Sequence, residues 1–509
     1  MVSEKIKTVI QLQEILGDLK KSGKKIVQCH GTFDLLHPGH LKHLEAARSY
    51  GDILVVTITA DAWVNRGPGR PIYNQNVRAQ FLAGMQCVHF VAIDDKPTPI
   101  EILKRLKPDI FVKGGDYEEK AREPHSLTHE EKRVVESYGG QIKFTHEDLV
   151  FSSSQLLNDF FYVFPESTQV FLNHFKKVYD LNFFTNYFEK TRRLKILTVG
   201  DTIIDEYHYG DVVGGGSKEN MLVFKYKENE MFAGGAVATA NNISLYSQFV
   251  ELCTCLGCVD SKENFVRDHL KPNVSLKPFY RSNGCTVVNR RFAEEIFVAK
   301  LFEEYFINDE PLDVVTEKKV CDYLEKIIDD YDLVVVNDFG FGFIGPQVID
   351  LVCKRAKFLA VNTQTNSVNR GFNLITKYSR ADYVCIDQPE LRLAFSNKYG
   401  DIQDMIYRLV EKMLPTKVAI TLGHDGSMTH DVSKDQFYKI PVFSKKIVDR
   451  VGAGDAYFSV TTPCVFAGMP MDAIGFLGNA VGAIAVTIVC NRSSVEPPVL
   501  TNFIKTLLK

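Results

Sequence analysis

At 509 residues the chain is too long for one ordinary domain, and two or three are expected. Hydrophobic residues make up 45% and charged residues 24%, the balance of a globular protein rather than a disordered one. A net charge of −3 and a pI of about 6.5 leave no basic excess for a nucleic-acid surface, and the longest apolar runs, such as AVGAIAVTIVC, fall short of the ~20 residues a membrane span needs.

The opening stretch, MVSEKIKTVIQLQEILGDLKKSGKK, is charged throughout and lacks the apolar core of a secretory signal. A cytoplasmic protein that meets neither nucleic acid nor membrane is expected. Cysteines are scattered, and their one cluster, CTCLGC (Cys253, Cys255, Cys258), has no second ligand group at zinc spacing. Its alternation suits a buried strand, so core thiols in a reducing compartment are expected.

From Ile26 to Phe144 apolar strand patterns alternate with helical ones. IVQCHG precedes a helix from Pro38, DILVVTIT precedes NQNVRAQFLAGMQ, and HFVAI precedes PIEILKRLK; DIFVKGGD and GGQIKFTHE follow. The alternation predicts βαβ units, a parallel sheet with helices on both faces, and a site at the carboxyl ends of the strands. Residues 1–163 are read as this first domain and 164–193, aromatic-rich and helically spaced, as a connector able to pack on either neighbour.

A fresh strand, LKILTVGDTIID, opens a second α/β domain over 194–509, continued by VELCTCLG, LVVVNDFG, FLAVNTQ, YVCIDQ and KVAITLG. Within it MLVFKYKENEMF and CTVVNRRFAEEIFVAKLFEEYF alternate like antiparallel strands, which predicts a small β layer added to the main body.

The string HGTFDLLHPGH carries the first candidate chemistry. Pro38 suits the first turn of a helix, with His37 at its start and His40 one turn in. Free N–H groups and positive potential at a helix start favour phosphate, and imidazoles there can stabilise charge in an in-line displacement. Gly31 allows close backbone approach. Arg66, Arg78 and Lys113 could offset triphosphate charge, and the run Ser152, Ser153, Ser154 could cap a helix and donate to phosphates.

HGTFDLLHPGH resembles the HxGH motif of cytidylyltransferase-like nucleotidyltransferases, which join a nucleoside monophosphate to a phosphorylated acceptor and release pyrophosphate. RGPGRPIYNQNVRAQFLAG resembles the segment after the second strand of sugar-phosphate adenylyltransferases. LKPDIFVKGGDY is similar to the matching stretch of heptose 1-phosphate adenylyltransferases, and FSSSQLL stands where that family has a hydroxyl-rich turn. The resemblance implies His37 and His40 as transition-state contacts, with Gly31, Thr32, Phe33, Lys113 and Asp116 around the nucleotide. It also implies a divalent ion, Mg²⁺, carried by the triphosphate. Arg66 stands where the close family has lysine.

KKIVDRVGAGDAYFSV reads as a strand, a glycine turn and a helix. Gly452, Ala453 and Gly454 can form an anion hole there, and Asp455 can take a proton from an attacking hydroxyl. The segment resembles the C-terminal motif of ribokinase-like sugar kinases. GDTIIDEYHYG then places Asp201 and Asp205 near sugar hydroxyls, FAGGAVATANNI supplies the double glycine Gly234 and Gly235, and TLGHDGSM supplies Gly423 and Gly426 on the nucleotide side. The β layer would be the family's lid and a homodimer contact. Several positions depart from the family pattern. Ala238 replaces an asparagine, Asp387 opens the motif whose Glu390 would help to hold Mg²⁺, Asn362-Thr363-Gln364 replaces a D-P-K-like turn, and NDFGFG lacks a Lys-Gly ending.

Together the halves resemble bifunctional heptose kinase/adenylyltransferases with the domain order reversed. The resemblance implies synthesis of a nucleotide-activated, ADP-heptose-like sugar from ATP. Two further readings stay open: a CTP-dependent transferase for glycerol phosphate or another polyol phosphate, and a transferase carrying a catalytically dead sugar-binding or dimerisation module.

Overall fold

The computed structural model describes all residues except 1, 65–70, 119, 120, 122–125, 146–163, 216–221, 295–298, 445 and 446. The chain divides into two compact units, Met1–Pro165 and Glu166–Lys509.

Unit 1 holds five strands: β1 (Ile26–Gly31), β2 (Ile53–Thr59), β3 (Phe90–Asp94), β4 (Ile110–Gly114) and β5 (Gln141–Thr145). They pair in the order β3-β2-β1-β4-β5, every pair parallel. Neighbouring residues of a strand point to opposite faces, so each strand feeds two cores. Val27 and Val56 pack with Leu44 and Leu82 on one face; Ile26 and Val55 pack with Leu12, Leu16 and Ile102 on the other. That is why these strands read as continuous apolar runs rather than alternating ones. The chain reverses direction of build between β1 and β4, which opens a crevice at their carboxyl ends.

Unit 2 is built on a 12-stranded sheet. Its strands are β6 (Lys195–Gly215), β7 (Leu222–Gly234), β8 (Phe249–Val259), β9 (Val274–Cys285), β10 (Val287–Glu294), β11 (Lys300–Phe306), β12 (Leu333–Asp338), β13 (Leu359–Thr363), β14 (Tyr383–Asp387), β15 (Lys417–Thr421), β16 (Ser427–Asp431) and β17 (Gln436–Ile440). β9, β8, β6, β12, β13, β14 and β15 run parallel, and β16 and β17 add an antiparallel edge.

β6 is 21 residues long and belongs to two layers. Lys195–Asp201 bonds β8 in the body, and Ile203 onward bonds β7 and β10 in a lid. The lid differs from the expected antiparallel layer. β7 and β11 are antiparallel to their neighbours, but β10 runs parallel to β6. The chain between β6 and β10 crosses the body through β8 and β9 before it returns, and a crossover of that length sets parallel pairing.

The helices Glu166–Phe175 and Leu181–Thr191 sit on unit 2. Phe175 stacks on the fully buried Phe476 with centroids 4.3 Å apart, Phe184 lies 5.3 Å from the same ring, and Tyr179 Oη donates to Asp472 at 2.8 Å. Cys253 is buried in β8 and Cys258 is exposed at its end. Among the described residues no helix is long and apolar enough to cross a membrane.

Phe476→Ala removes the ring on which both N-terminal helices of unit 2 close. It should lower unit 2 stability by about 3–5 kcal/mol, read as an earlier urea midpoint with unchanged slope.

Candidate active sites

In unit 1, β1 ends at Gly31 and the backbone turns through Phe33, whose φ of 48° is left-handed and uncommon for an aromatic residue. The helix Pro38–Arg48 follows. His37 is its N-cap, and His37 Nδ1 accepts the Gly39 N–H at 3.1 Å. With Nδ1 accepting, a neutral His37 carries its proton on Nε2, where it is a donor. Burial lowers the His37 pKa, which favours this neutral form at pH 7. The His37 and His40 rings lie 3.9 Å apart, and Phe33 packs 5.4 Å from His40. Two imidazoles therefore share one spot at a helix start, where an anion gains most.

Beneath them lies a polar layer that the sequence reading missed. His30 Nδ1 lies 3.0 Å from Thr57 Oγ1, and Gln28 Nε2 donates to the same oxygen at 3.0 Å. Burial, with the Lys113 charge, pushes His30 down to about 3, so it is uncharged. His43 is held 2.6 Å from Thr145 Oγ1 and pushed down to about 4 by burial. His30 ends an apolar strand and His43 follows His40 by one turn, spacings that also suit plain packing.

Lys113, at the end of β4, is ion-paired to the buried Glu131 and lies 4.6 Å from the Tyr117 ring. Burial raises the Glu131 carboxyl and Lys113 opposes that rise. An ammonium has three donors, so Lys113 keeps capacity for a phosphate oxygen. Asp116 lies in the turn Gly115–Tyr117 that follows β4. Arg66, Ser152, Ser153 and Ser154 lie outside the described residues.

Arg78 departs from its expected role as a triphosphate contact. Its side chain is wholly buried, and the guanidinium donates to Tyr73 O at 3.0 Å, Thr59 O at 2.8 Å, Asp61 Oδ1 at 2.7 Å and Thr32 O. It ties the loops after β1 and β2 together. Asp34 adds to this clasp by accepting the Ile72 N–H at 2.7 Å and the Tyr73 N–H at 3.2 Å. The loop carrying Thr32 and Phe33 is thus shaped by an arginine that no ligand needs to touch.

In unit 2 a cavity of about 760 Å³ opens at the carboxyl ends of the strands, walled by the lid on one side. Asp455 enters it from the first turn of the helix Ala453–Phe466. It is nearly buried, and its Oδ1 accepts Gln364 Nε2 at 2.6 Å. Burial and then the charge of Asp205 push its carboxyl up to about 7, a value that suits a general base. Gly452, with φ 81°, has room for no side chain because a Cβ would meet Asn491 Oδ1 at 2.3 Å. At Gly454 a Cβ would meet nothing, so that glycine leaves open space at the helix start. The expected strand before this turn is not formed over the described residues 447–452; Val448 and Asp449 N–H bond Val486 O instead.

Asp205 lines the cavity and is ion-paired to Arg291 on β10, whose Nε donates to Glu303 Oε1 at 2.6 Å. Gly234 is required here, since a Cβ would lie 2.1 Å from Asp205 Oδ2. Gly235, Gly423 and Gly426 line the wall, but Gly234 and Asp201 do not. Asp201 sits below the floor, accepts the Phe339 N–H at 3.1 Å, and is pushed up to about 7 by burial and by Asp338. Ala238 is buried inside the helix Gly235–Ser244, away from the wall, and its carbonyl accepts Asn242 Nδ2 at 3.0 Å.

Asp387 and Glu390 both reach the cavity at the end of β14. They form a capping box: Asp387 N–H donates to Glu390 Oε2 at 2.8 Å and Glu390 N–H to Asp387 Oδ1 at 2.7 Å. Glu390 Oε1 also accepts the Thr365 N–H at 2.9 Å. Burial raises both carboxyls; the Asp387 charge adds to the rise at Glu390, whereas hydrogen bonds with Glu390 oppose it at Asp387. Glu390 thus shapes the turn with both oxygens, and the pair fits a nucleotide-borne cation only through their remaining lone pairs. Asn362, buried, donates to Cys385 O at 2.7 Å. The sequence reading missed Arg291, Asn289 and Gln364. Arg291 was hidden in a strand pattern, and Gln364 was visible only as a departure from a family turn.

The cytidylyltransferase-like family profile matches residues 29–170, and the profile of the pfkB family of carbohydrate kinases matches residues 193–496. Over unit 1 the chain is 45% identical across 141 residues to the bifunctional protein HldE of Geobacter metallireducens, and 48% identical across 117 residues to that of Aliarcobacter butzleri. These matches cover 27% and 23% of this chain and 27% and 25% of those proteins, so the chain spans about a quarter of the length of these curated relatives. Phosphofructokinase-2 from Escherichia coli, in complex with fructose-6-phosphate, superposes with a TM-score of 0.49 at 14% identity, covering 63% of this chain and all of that one. A ribokinase from Thermotoga maritima gives 0.47 at 18%, covering 61% and 99%.

Arg78→Met strands three carbonyls and the Asp61 carboxylate. It should destabilise unit 1 by about 3–5 kcal/mol in urea unfolding, and Arg78→Lys should recover little of that because one ammonium cannot span the four acceptors.

Proposed function

We propose, for a chain that belongs to the pfkB family of carbohydrate kinases and carries a cytidylyltransferase-like domain ahead of that region, a two-step synthesis of a nucleotide-activated sugar. In unit 2 the anomeric hydroxyl of a sugar attacks the γ-phosphorus of ATP. Asp455 takes the hydroxyl proton, N–H groups around Gly452, Ala453 and Gly454 meet the charge on the phosphoryl group, and ADP leaves. In unit 1 the resulting sugar 1-phosphate attacks the α-phosphorus of a nucleoside triphosphate, and pyrophosphate leaves. His37 and His40 donate to the phosphoryl oxygens as charge grows there.

The observation that carries this reading is the placement of Asp455: a buried carboxyl held by Gln364, at a helix start, inside the cavity that also presents Asp205. The similarity of unit 1 to proteins named HldE supports a heptose-like sugar and an ADP product. Mg²⁺ bound by the triphosphate would neutralise phosphate charge, and Asp387 and Glu390 are the carboxylates placed to orient it, through the lone pairs their capping box leaves. The partner is read as a second copy of this chain through the lid, where Leu222, Tyr226 and Phe302 are 53%, 51% and 47% exposed.

Purified protein with ATP or CTP and a panel of sugars, sugar 1-phosphates and glycerol phosphate separates the readings. ADP from a free sugar together with pyrophosphate from its 1-phosphate is the expected result. Pyrophosphate with no ADP from any sugar would make unit 2 a binding module, and pyrophosphate only from CTP with glycerol phosphate would make unit 1 a polyol-phosphate transferase. His40→Ala should slow pyrophosphate release about 10²–10³-fold; an undiminished rate removes the imidazole pair from the chemistry.

The Asp455 carboxyl gives a pH signature. It must be ionised to accept a proton, so ADP formation should fall as pH drops below about 7, towards tenfold per unit. Asp455→Asn should lower the rate at least about 10²-fold and abolish that limb. Its linkage to stability has the opposite sense. The folded chain keeps this proton up to about pH 7 while the unfolded chain loses it near 3.8, so the contribution to stability is full below the lower value and fades as pH rises through the upper one.

A further inference from the structure

Asp449 is a carboxylate that the reaction does not use, and it is 4% exposed. It lies six residues before Asp455, in the segment that leads into the anion hole. Four donors converge on it. Oδ1 accepts Lys300 Nζ at 2.7 Å and the Val451 N–H at 3.1 Å; Oδ2 accepts Tyr207 Oη at 2.7 Å and the Cys490 N–H at 3.0 Å. Two of these donors fix the anion-hole loop and the turn that carries Asn491, whose amide lies where a Gly452 side chain would sit. The other two, Lys300 on β11 and Tyr207 on the outer part of β6, belong to the lid.

The lid strand is re-aimed to make this contact. Phe292 faces Phe302 and Ala293 faces Lys300, so Leu301 is one extra residue on β11. A single extra residue switches the side to which the strand alternates. Lys300 and Glu303 therefore both turn toward the body. Glu303 meets Arg291, which is paired with Asp205 on the acceptor side of the cavity. One short strand thus touches the acceptor wall through Glu303 and the anion hole through Lys300. Lys300 lowers the Asp449 pKa against the effect of burial, in keeping with a carboxylate that stays charged because the lid supplies its counter-ion.

We propose that Lys300 and Asp449 are a positioning pair that couples the lid to the anion hole: with the lid seated, the ammonium holds Asp449, and Asp449 holds the loop Arg450–Gly454 in the geometry that receives the transferring phosphoryl group. The proposal rests on the phosphoryl-transfer reading of unit 2. Neither residue touches the reacting atoms, so the expected loss is in turnover rather than in acceptor affinity. Displacements of about 1 Å in such a site slow a reaction about 10²-fold.

The test uses the full chain. Lys300→Met should lower kcat for ADP formation about 10–100-fold with acceptor KM changed less than about threefold, and Lys300→Arg should restore part of it. Because Lys300→Met leaves a buried carboxylate unpaired, the double variant Lys300→Met/Asp449→Asn serves as the folded control. It should regain thermal stability and keep wild-type pyrophosphate release from unit 1, yet still turn over slowly in unit 2. Wild-type kcat in either variant would overturn the proposal. Should the wild-type chain form no ADP from any sugar, the kinase reading falls, and hydrogen–deuterium exchange decides the pairing alone. Faster exchange over residues 447–456 in the double variant supports the coupling, and unchanged exchange refutes it.

Discussion

Unit 2 depends on the continuity of β6. Its first residues bond into the parallel body and its later ones into the lid, with no loop between. A strand cannot slip by one residue without turning its core side chains outward, so the body fixes the register of the lid. Asp205 lies just past the crossover and opposite Phe232, the residue two before Gly234. The side chain of the cavity wall and the glycine that makes room for it are therefore set by one ladder of hydrogen bonds. The same ladder brings Tyr207 to Asp449, so the loop Arg450–Gly454 inherits its position from the sheet.

Burial gives these carboxyls their character. Asp201, Asp455 and Glu390 all sit where water is scarce, and each is pushed toward its neutral form. Asp449 is equally hidden but stays charged, because Lys300 and Tyr207 donate to it. Partners rather than depth divide the set into a carboxylate that holds structure and one poised near neutrality. Gln364 sharpens the division. As a neutral amide it orients Asp455 without fixing its charge, which a lysine in the same place would do.

Unit 1 builds its candidate site by other means. Burial lowers the His37 pKa, and a backbone N–H of its own helix locks that ring into one tautomer. The positive potential comes from the helix start and from Lys113 rather than from the histidines. Arg78, which looks like a natural phosphate ligand, is drawn inward because three backbone carbonyls need a donor that water cannot supply.

Much of this was legible in the chain itself. Continuous apolar runs separated by helical patterns forced two mainly parallel sheets, since such strands must be covered on both faces. Gly-rich turns before helices, and Pro38 after His37, marked the helix starts at which both sites lie. What the chain could not disclose was decided by pairing across long separations. The parallel seating of β10 on β6 follows from a crossover, the bulge at Leu301 from the lid's fit to the body, and the burial of Arg78 from the meeting of the loops after β1 and β2. Local pattern records which face a residue prefers. It does not record which distant carbonyl or carboxylate will stand opposite, and that is why the histidines and Asp455 could be named from sequence while Arg291, Gln364, Lys300 and Asp449 acquired their places only in the folded chain.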